Sequence, residues 1–384
     1  MSALPAPPPE AAAHSHRLAG HIAAVIAAEG DWISFSRYME LALYAPGLGY
    51  YAAGARKFGS EGDFVTAPEI SPVFAQCVAR QAVQVLDACG GEVLELGPGS
   101  GALAADLYAE MTALGKPPGR YRLLEVSPDL RQRQRERLGK RFPGDTGRFE
   151  WIDTLPASLR GIVIANEVLD VVPFSLVRRA GDAYFERGVV VTGAGFAFED
   201  RELAEGELKR RMQQVFPPGG YEYVSEISFA AEALVRTVAS SIEAGIALFI
   251  DYGFAERELY HPQRSMGTMR CHYRHRFHDD PFFMPGLQDI TAHVDFSAMA
   301  RAAEAGGAEI HGYTTQAYFL ISAGLTDILS RLDADITVER MKATSAAHRL
   351  VSPAEMGELF KVLAIGRGIE AALVGFDSAR PLAL

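Results

Sequence analysis

The residues of this chain that could carry chemistry gather where short apolar runs end. Gly97, Gly99 and Gly101 follow the run Val93–Leu96 at a spacing of two, and a helical pattern comes directly after them. Glycines at such a turn let the backbone approach a ligand closely, and the helix start offers free N–H groups. We therefore predict a site for a nucleotide-type cofactor here, with a structural strand–turn–helix as the alternative.

Polar side chains follow the other apolar runs at the point where each run ends. In chain order they are Glu125, Asp153, Asn166, Glu167, Asp170 and Asp251. In an open α/β sheet, ligands bind outside the carboxyl ends of the strands. Glu125 is the residue type that binds a ribose diol, and its alternative role is to cap a helix. Asp153 is a candidate acceptor for an adenine amino group or a surface residue without a ligand.

The apolar runs alternate with helical patterns, which predicts a doubly wound, Rossmann-like parallel α/β sheet. Helical patterns separate the runs, and the last two runs are predicted to pair. The predicted strands are Val93–Leu96, Tyr121–Val126, Phe149–Ile152, Gly161–Ala165, Gly245–Ile250, Ala308–Tyr313 and Lys361–Ile365.

The alternation stops after Pro173, where short antiparallel strands with glycine turns are predicted. We therefore divide the chain into a core with a cap and an insertion. The predicted parts are a flexible tail (1–15), a helical N-terminal cap or lid (16–90), the first part of the core (91–172), a mostly β insertion (173–225) and the second part of the core (226–384), with an irregular loop at 254–288 and a helical excursion at 314–359.

Composition narrows the classes of partner. The formal net charge of −11 gives no electrostatic case for nucleic acid or an anionic membrane. No apolar run approaches the roughly 18 residues that a membrane span needs. The three cysteines have no C-x-x-C spacing and are interpreted as reduced thiols. The Pro/Ala-rich N-terminus is interpreted as a flexible tail rather than a targeting peptide, which predicts a cytoplasmic location.

The spacing of the glycines helps to choose the cofactor. A dinucleotide site is marked by G-x-G-x-x-G, whereas this turn is E-x-G-x-G-x-G with Glu95 as its acidic residue and Pro98 without an N–H. An acidic element suits S-adenosylmethionine, which carries an ammonium and a sulfonium, better than a pyrophosphate. A nicotinamide-dependent oxidoreductase is the weaker alternative.

With these motifs the chain resembles the class I S-adenosylmethionine-dependent methyltransferases and, within them, the MidA-like family. The resemblance covers about residues 38–365. The matching runs are Gly49–Tyr51, Gly62–Ser71, Glu95–Gly101, Leu123–Ser127, Ala165–Asp170, Asp251–Gly253, Pro285–Phe296, Thr315–Leu320 and Pro353–Val362.

The resemblance implies a seven-stranded methyltransferase sheet and an enzyme that methylates arginine on a protein. Mitochondrial members of the family act on a subunit of respiratory complex I. Gly97, Gly99, Gly101 and Glu125 match the positions that bind the cofactor in the family. The N-terminus departs from the mitochondrial members, so the chain is interpreted as a bacterial-type member.

A guanidinium is always charged and is best gripped by carboxylates, so the turn after the fourth strand is the predicted acceptor site. Glu167 is the leading catalytic candidate, and Asn166 is assigned to both the cofactor and the transfer step. Asp170 and Asp295 are unranked candidates for a second acidic group, and His293 could orient a carboxylate or accept a proton. Turn stabilisation and helix capping are their structural alternatives.

Cys271, His272, His275 and His278 suggest a metal site, but zinc-like spacing of a second ligand cluster is missing. We predict no metal and interpret this segment as a charged loop that closes over or contacts the substrate. A cofactor-binding assembly module without turnover stays open as a second function, as does a homodimer.

Overall fold

The glycine turn (residues 97–101) lies at the edge of a central sheet in the computed structural model of the chain. The structure describes residues 4–53, 66–331, 338–376 and 382–384. Its contacts divide the chain into a sheet unit and an insert unit. The sheet unit comprises Val65–Leu169, Glu232–Gly253 and Phe296–Leu384, and the insert unit comprises Met1–Phe64, Asp170–Ala231 and Phe254–Asp295.

Helices and strands alternate through most of the sheet unit. The helices are α1 (Pro9–Ala28), α2 (Phe35–Tyr44), α3 (Ala67–Ile70), α4 (Pro72–Cys89), α5 (Ala102–Ala113), α6 (Pro128–Arg141), α7 (Glu207–Val215), α8 (Phe229–Ser241), α9 (Glu256–Leu259), α10 (Phe296–Ala305), α11 (Gln316–Ser322), α12 (Leu325–Ser330) and α13 (Val338–Val351). The strands are β1 (Ile33–Ser34), β2 (Glu92–Leu96), β3 (Tyr121–Leu124), β4 (Phe149–Ile152), β5 (Leu159–Asn166), β6 (Ser175–Ala180), β7 (Ala183–Thr192), β8 (Gly195–Glu202), β9 (Tyr223–Ile227), β10 (Ile242–Phe254), β11 (Arg270–Tyr273), β12 (Arg276–His278), β13 (Asp289–Thr291), β14 (Val294–Asp295), β15 (Glu309–Thr315) and β16 (Phe360–Arg367).

Within the described ranges, seven strands of the sheet unit lie in the order β15-β16-β10-β5-β2-β3-β4. The five strands from β10 to β4 are parallel, whereas β16 runs antiparallel between β10 and β15. The chain order reverses between β2 and β5, so this is the point where an open α/β sheet binds ligands. The predicted Rossmann-like, seven-stranded methyltransferase sheet is confirmed.

The middle strands are buried along nearly their whole length. Val93 and Leu94 of β2 and the run Ile246–Ile250 of β10 have no exposed surface. Parallel strands covered on both faces have unbroken apolar sequences, which is why these strands were easy to predict. Their burial fixes the strand ends and therefore the positions of the polar residues that follow them.

The insert unit is built mainly from antiparallel strands. β1, β7, β6 and β9 are neighbours in that order, with β8 paired to β7, and β12, β11 and β13 form a second small sheet. The predicted strands after Pro173 thus occur as β6, β7 and β8. The division of the whole chain into tail, cap, core and insertion stays a prediction.

Two sequence-based expectations are corrected at the ends of the insert unit. Residues 9–15, which were expected in a flexible tail, belong to α1 because proline is well placed at a helix start and alanine favours the helix. The loop expected to be irregular at 254–288 contains α9, β11 and β12. Its hairpin turn uses Arg274 and His275 at φ of 48° and 59°, without the glycine or asparagine that usually marks such a turn.

The cap or lid expected at 16–90 includes residues 54–65, which lie outside the described residues. Of its helices, α2 begins at the predicted cap Ser34, whose hydroxyl accepts a hydrogen bond from the Arg37 N–H at 3.2 Å. In the part of the chain that the structure describes, no helix has the length and apolar character to cross a membrane.

Candidate cofactor-binding and transfer site

The glycine turn needs glycine for its backbone conformation. Gly97, Gly99 and Gly101 have φ of 59°, 53° and 77°, in the left-handed region that other residues avoid. Gly97 is also crowded, because a Cβ atom there would lie 3.1 Å from the side chain of Val168. The turn therefore brings bare backbone to the end of β2, next to the first N–H groups of α5.

Glu95 is a buried carboxylate in β2, two residues before the turn. Its side chain accepts a hydrogen bond from the Tyr121 hydroxyl at 2.5 Å. Burial raises the pKa of Glu95 to about 7 from its ordinary 4.5, against the hydrogen bond from Tyr121, which lowers it, and with a further rise from the charge of Glu125. A carboxylate in this setting gains from a neighbouring cation.

Glu125 follows β3 and is also buried, with 5% of its surface exposed. One carboxylate oxygen accepts from the Ser127 N–H at 2.8 Å, and the other accepts from the Gln134 amide at 3.1 Å. Burial raises the pKa of Glu125, and these hydrogen bonds oppose the rise. The carboxylate is thereby held in one orientation at the edge of the sheet.

Gln134 was not singled out from the sequence. It lies on α6 with no exposed surface, and its amide also donates to the Gly99 carbonyl at 2.7 Å. A signal was available, because Gln134 interrupts the inward stripe of Leu130 and Leu138 on this helix. A polar residue in an apolar stripe requires partners.

Glu69 was also missed as an individual residue, although it lies in one of the family runs. It belongs to α3, and its carboxylate accepts a hydrogen bond from the Ser100 hydroxyl of the glycine turn. Arg137 lies 3.7 Å from the same carboxylate. The turn is thus fastened by side chains from α3 as well as from α6.

Asp153 lies at the end of β4 with 83% of its side chain exposed. It pairs with Arg131 at 2.6 Å, and Arg131 also donates to the Ile152 carbonyl at 2.9 Å. This arrangement gives Asp153 an ion-pair role, and its predicted contact with adenine stays a prediction.

Asn166 and Glu167 end β5 on the same edge. Glu167 has a φ of 53°, which is unusual for a residue with a side chain and marks a site under strain. Its Oε1 accepts from the Asn166 amide at 3.1 Å and from the Ala67 N–H at 3.4 Å. Among the described residues, none gives a hydrogen bond to the buried Oδ1 of Asn166.

Asp251 at the edge of the sheet fixes this turn. It is 1% exposed, and its Oδ2 accepts from the Val168 N–H at 3.1 Å and from the Leu169 N–H at 2.8 Å. The strained conformation of Glu167 is therefore held by a buried carboxylate from β10.

The other three catalytic candidates lie in the insert unit. The Asp170 carbonyl accepts from the Ala292 N–H at 3.0 Å, and the His293 N–H donates to the Thr268 hydroxyl at 3.0 Å. Asp295 contributes a charge that raises the pKa of Tyr260, a buried phenol whose pKa burial raises first. These contacts give the three residues structural roles within their unit, and their part in catalysis stays a prediction.

The cysteine and histidine segment forms the β11–β12 hairpin instead of a loop. Cys271 is fully buried and pairs across the hairpin with His278. Burial lowers the pKa of His272, with smaller effects from the charges of His278 and Arg270. Over the residues that the structure describes, no group of three or more His, Cys, Asp or Glu side chains is arranged to hold a metal ion.

The residues at the sheet edge suit S-adenosylmethionine. Two buried carboxylates, a glycine turn and an acceptor oxygen of Asn166 without a partner among the described residues offer hydrogen-bond acceptors and bare backbone to a ligand with hydroxyl and ammonium groups. A family described as "Putative S-adenosyl-L-methionine-dependent methyltransferase" matches residues 77–314.

Similar proteins agree with this match. The protein arginine methyltransferase NDUFAF7 homolog, mitochondrial, of Drosophila melanogaster is 30% identical, covering 94% of this chain and 88% of its own length. The protein arginine methyltransferase NDUFAF7, mitochondrial, of Danio rerio is 30% identical, with 90% and 86% covered. A COG1565 superfamily member from Burkholderia thailandensis, solved with bound S-adenosyl-homocysteine, is 50% identical with a TM-score of 0.95 and covers 98% of both chains.

These comparisons correct the expected cytoplasmic location. The curated relatives from Drosophila melanogaster, Danio rerio and Homo sapiens are mitochondrial proteins, so the prediction drawn from the N-terminal composition is wrong. The composition of a short tail is a weak guide to the compartment of a protein.

The choice of cofactor and enzyme class is confirmed. S-adenosylmethionine is the cofactor, and the nicotinamide alternative has no support. The matched family, the relatives and the sheet order together show that this chain belongs to the MidA-like family of S-adenosylmethionine-dependent methyltransferases.

Proposed function

We propose that this chain transfers a methyl group from S-adenosylmethionine to an arginine of a protein substrate. The names of the relatives support an arginine acceptor, because they are protein arginine methyltransferases. Within the molecule, the observation that carries the proposal is the turn formed by Asn166 and Glu167, where two acceptor side chains lie at the end of β5.

A guanidinium presents N–H donors in a fixed plane and keeps its charge in proteins. Its natural partners are a carboxylate and a further acceptor oxygen, which Glu167 and the Oδ1 of Asn166 provide. Because the Asn166 amide donates to Glu167, its carbonyl oxygen is left oriented as an acceptor. The charge of Glu167 would draw the positive charge of the guanidinium away from the reacting nitrogen.

The cofactor is assigned to the edge formed by β2, β3 and β4. We propose that Glu95 attracts the positive charge of the ligand, that Gly97, Gly99 and Gly101 let it approach the backbone, and that Glu125 accepts from the ribose hydroxyls. When bound, S-adenosylmethionine supplies a methyl group whose C–S bond breaks as a C–N bond forms, leaving S-adenosyl-homocysteine and a proton from the guanidinium. The residues of the chain supply alignment and exclusion of water.

A subunit of respiratory complex I is the acceptor protein that the family resemblance suggests. We include it in the proposal, together with a minor contact from Asp153 to adenine. Roles for Asp170, His293 and Asp295 in proton removal or charge placement belong to the same proposal and are tested after Glu167.

The test is transfer of labelled methyl groups from S-adenosylmethionine to extract of cells that lack this protein, with mass spectrometry of the labelled arginine. Glu167→Gln keeps both hydrogen bonds to Oε1 and removes only the charge. We expect transfer to fall about 100-fold or more, in the range for loss of one stabilising group, while the affinity for S-adenosyl-homocysteine is unchanged.

Glu136→Gln on the exposed face of α6 is the matched control and should transfer normally. Full activity of Glu167→Gln would remove Glu167 from the mechanism. Cofactor binding without label on any protein would favour the assembly module instead of the enzyme.

A further inference from the structure

A buried glutamine connects parts of the cofactor edge that are distant in sequence. Gln134 occupies the inward stripe of α6 between Leu130 and Leu138, and all three side chains are at most 3% exposed. A leucine would suit this stripe for packing alone. The amide must therefore be compensated by its hydrogen bonds, since burying it without partners is costly.

All the polar atoms of this amide have partners. Its nitrogen donates to the Gly99 carbonyl at 2.7 Å and to the Glu125 carboxylate at 3.1 Å. Its oxygen accepts from the Trp151 indole at 2.8 Å. One side chain thus joins the glycine turn after β2, the carboxylate after β3 and strand β4.

These bonds limit the freedom of two groups assigned to the cofactor. The Glu125 carboxylate is held between the Ser127 N–H and the Gln134 amide, so it cannot rotate without losing a buried hydrogen bond. The Gly99 carbonyl is held as well, and because the peptide unit is planar and trans, the Ser100 N–H must point the opposite way.

The same contacts also restrict residue choice in the turn. A Cβ atom at Gly101 would lie 3.2 Å from the Gln134 side chain. The glutamine therefore packs directly on the start of α5 as well as bonding to Gly99. A movement of Gln134 would be felt by the turn and by Glu125 together.

We propose that Gln134 is a positioning residue that holds Glu125 and the glycine turn in register and thereby sets the selectivity of the site for the ribose hydroxyls of the cofactor. The inference rests on the proposed assignment of Glu125 to the ribose. Gln134 acts through Glu125 and does not itself bind the ligand. A residue needed only for packing would affect all ligands alike, whereas this role predicts a loss confined to ligands that carry both hydroxyls.

The experiment measures dissociation constants of S-adenosyl-homocysteine and of its 2′-deoxy analogue by calorimetry on the full chain. The unmodified protein should prefer the parent ligand by about tenfold or more, the value of a hydrogen bond to a charged group. Gln134→Met should lose most of that preference by weakening the parent ligand, with little change for the analogue. The matched control Gln132→Met, on the exposed face of α6, should keep it.

A double variant identifies the path of the effect. If Gln134 acts through Glu125, adding Gln134→Met to Glu125→Gln should cost less than about twofold more, because coupled residues are not additive. Gln134→Glu supplies a second test if the methionine variant folds poorly, since it keeps the acceptor for Trp151 and lacks the donor. It should lose the ribose preference in the same way.

Equal weakening of both ligands, or an intact preference in the two Gln134 variants, would overturn the proposal. An unmodified protein that binds both ligands equally would overturn it as well and would remove Glu125 from the ribose. Neither result touches the arginine assay, so failure of this inference is separate from failure of the proposed methyl transfer.

Discussion

The loop at residues 265–269 of the insert unit, here the Glu226 loop, and the glycine turn of the sheet unit each combine a left-handed glycine with buried carboxylates. In the Glu226 loop the glycine is Gly267, with φ of 73°, and a Cβ atom on it would lie 2.4 Å from the Glu226 carboxylate. In the glycine turn, Gly97 faces the apolar side chain of Val168. The two regions use similar parts with different partners.

The loop itself occupies the acceptor atoms of Glu226. Oε1 accepts from the Thr268 and Met269 N–H groups at 2.8 Å each, and Oε2 accepts from the hydroxyls of Thr268 at 3.2 Å and Ser225 at 3.4 Å. Glu95, in contrast, has one hydrogen bond among the described residues, from Tyr121. A carboxylate whose donors come from its own loop serves structure, whereas one with few donors has acceptor capacity for a ligand.

The largest effect is expected from Glu226→Leu. It leaves the Thr268 and Met269 N–H groups without their acceptor, and two such buried losses amount to about 4 kcal/mol of unfolding free energy. Urea unfolding measures the loss, and binding of S-adenosyl-homocysteine to the folded fraction should change less than about threefold. Glu222→Gln, an exposed acid bonded to Arg178, is the control. An unchanged midpoint would refute the structural role of Glu226.

Glu95→Gln should alter the pH dependence of stability. The pKa of Glu95 is raised to about 7 from 4.5, so its stabilising contribution is complete below pH 4.5 and is lost as the pH rises through 7. The unmodified protein should thus lose up to about 3 kcal/mol across this window relative to the variant. Unfolding between pH 4 and pH 8 without cofactor measures the difference. Parallel curves would show that the carboxylate is already compensated, as in the Glu226 loop.

Gly97→Ala tests whether the glycine turn serves the ligand. An alanine in the left-handed region costs about 1–2 kcal/mol of stability. Gly115→Ala is a matched control, because Gly115 has φ of 74° and a Cβ atom there meets nothing within 4 Å. Both variants should lose similar stability, but only Gly97→Ala should lose affinity for S-adenosyl-homocysteine, by about tenfold. Equal affinities would make the turn structural.

Asp153→Asn should have the smallest effect on stability. Its side chain is 83% exposed, and an exposed pair with Arg131 is worth at most about 1 kcal/mol. Thermal unfolding should shift by no more than about 2 °C. A several-fold loss of cofactor affinity at unchanged stability would support the predicted contact with adenine, and unchanged affinity would remove it.

The central strands could be predicted because their physics is local. β2 and β10 are buried on both faces, so their sequences are unbroken apolar runs and the polar residues after them mark the strand ends. Glu125, Asn166 and Glu167 were found by that rule. The glycine spacing in turn identified the cofactor, since left-handed backbone leaves a direct trace in residue type.

The tertiary structure decided what depends on contacts between distant residues. Gln134 lies 35 positions from Gly99, so nothing near it in the chain reveals their hydrogen bond. The hairpin at Arg274 and His275 lacks the residues that favour its turn and is held by pairing with β13 instead. The sequence by itself thus determined the sheet, its glycine turn and the class of cofactor, because burial and backbone conformation restrict residue type locally. Only the folded structure decided which side chains support these groups, because a hydrogen bond between distant segments restricts neither sequence in a recognisable pattern.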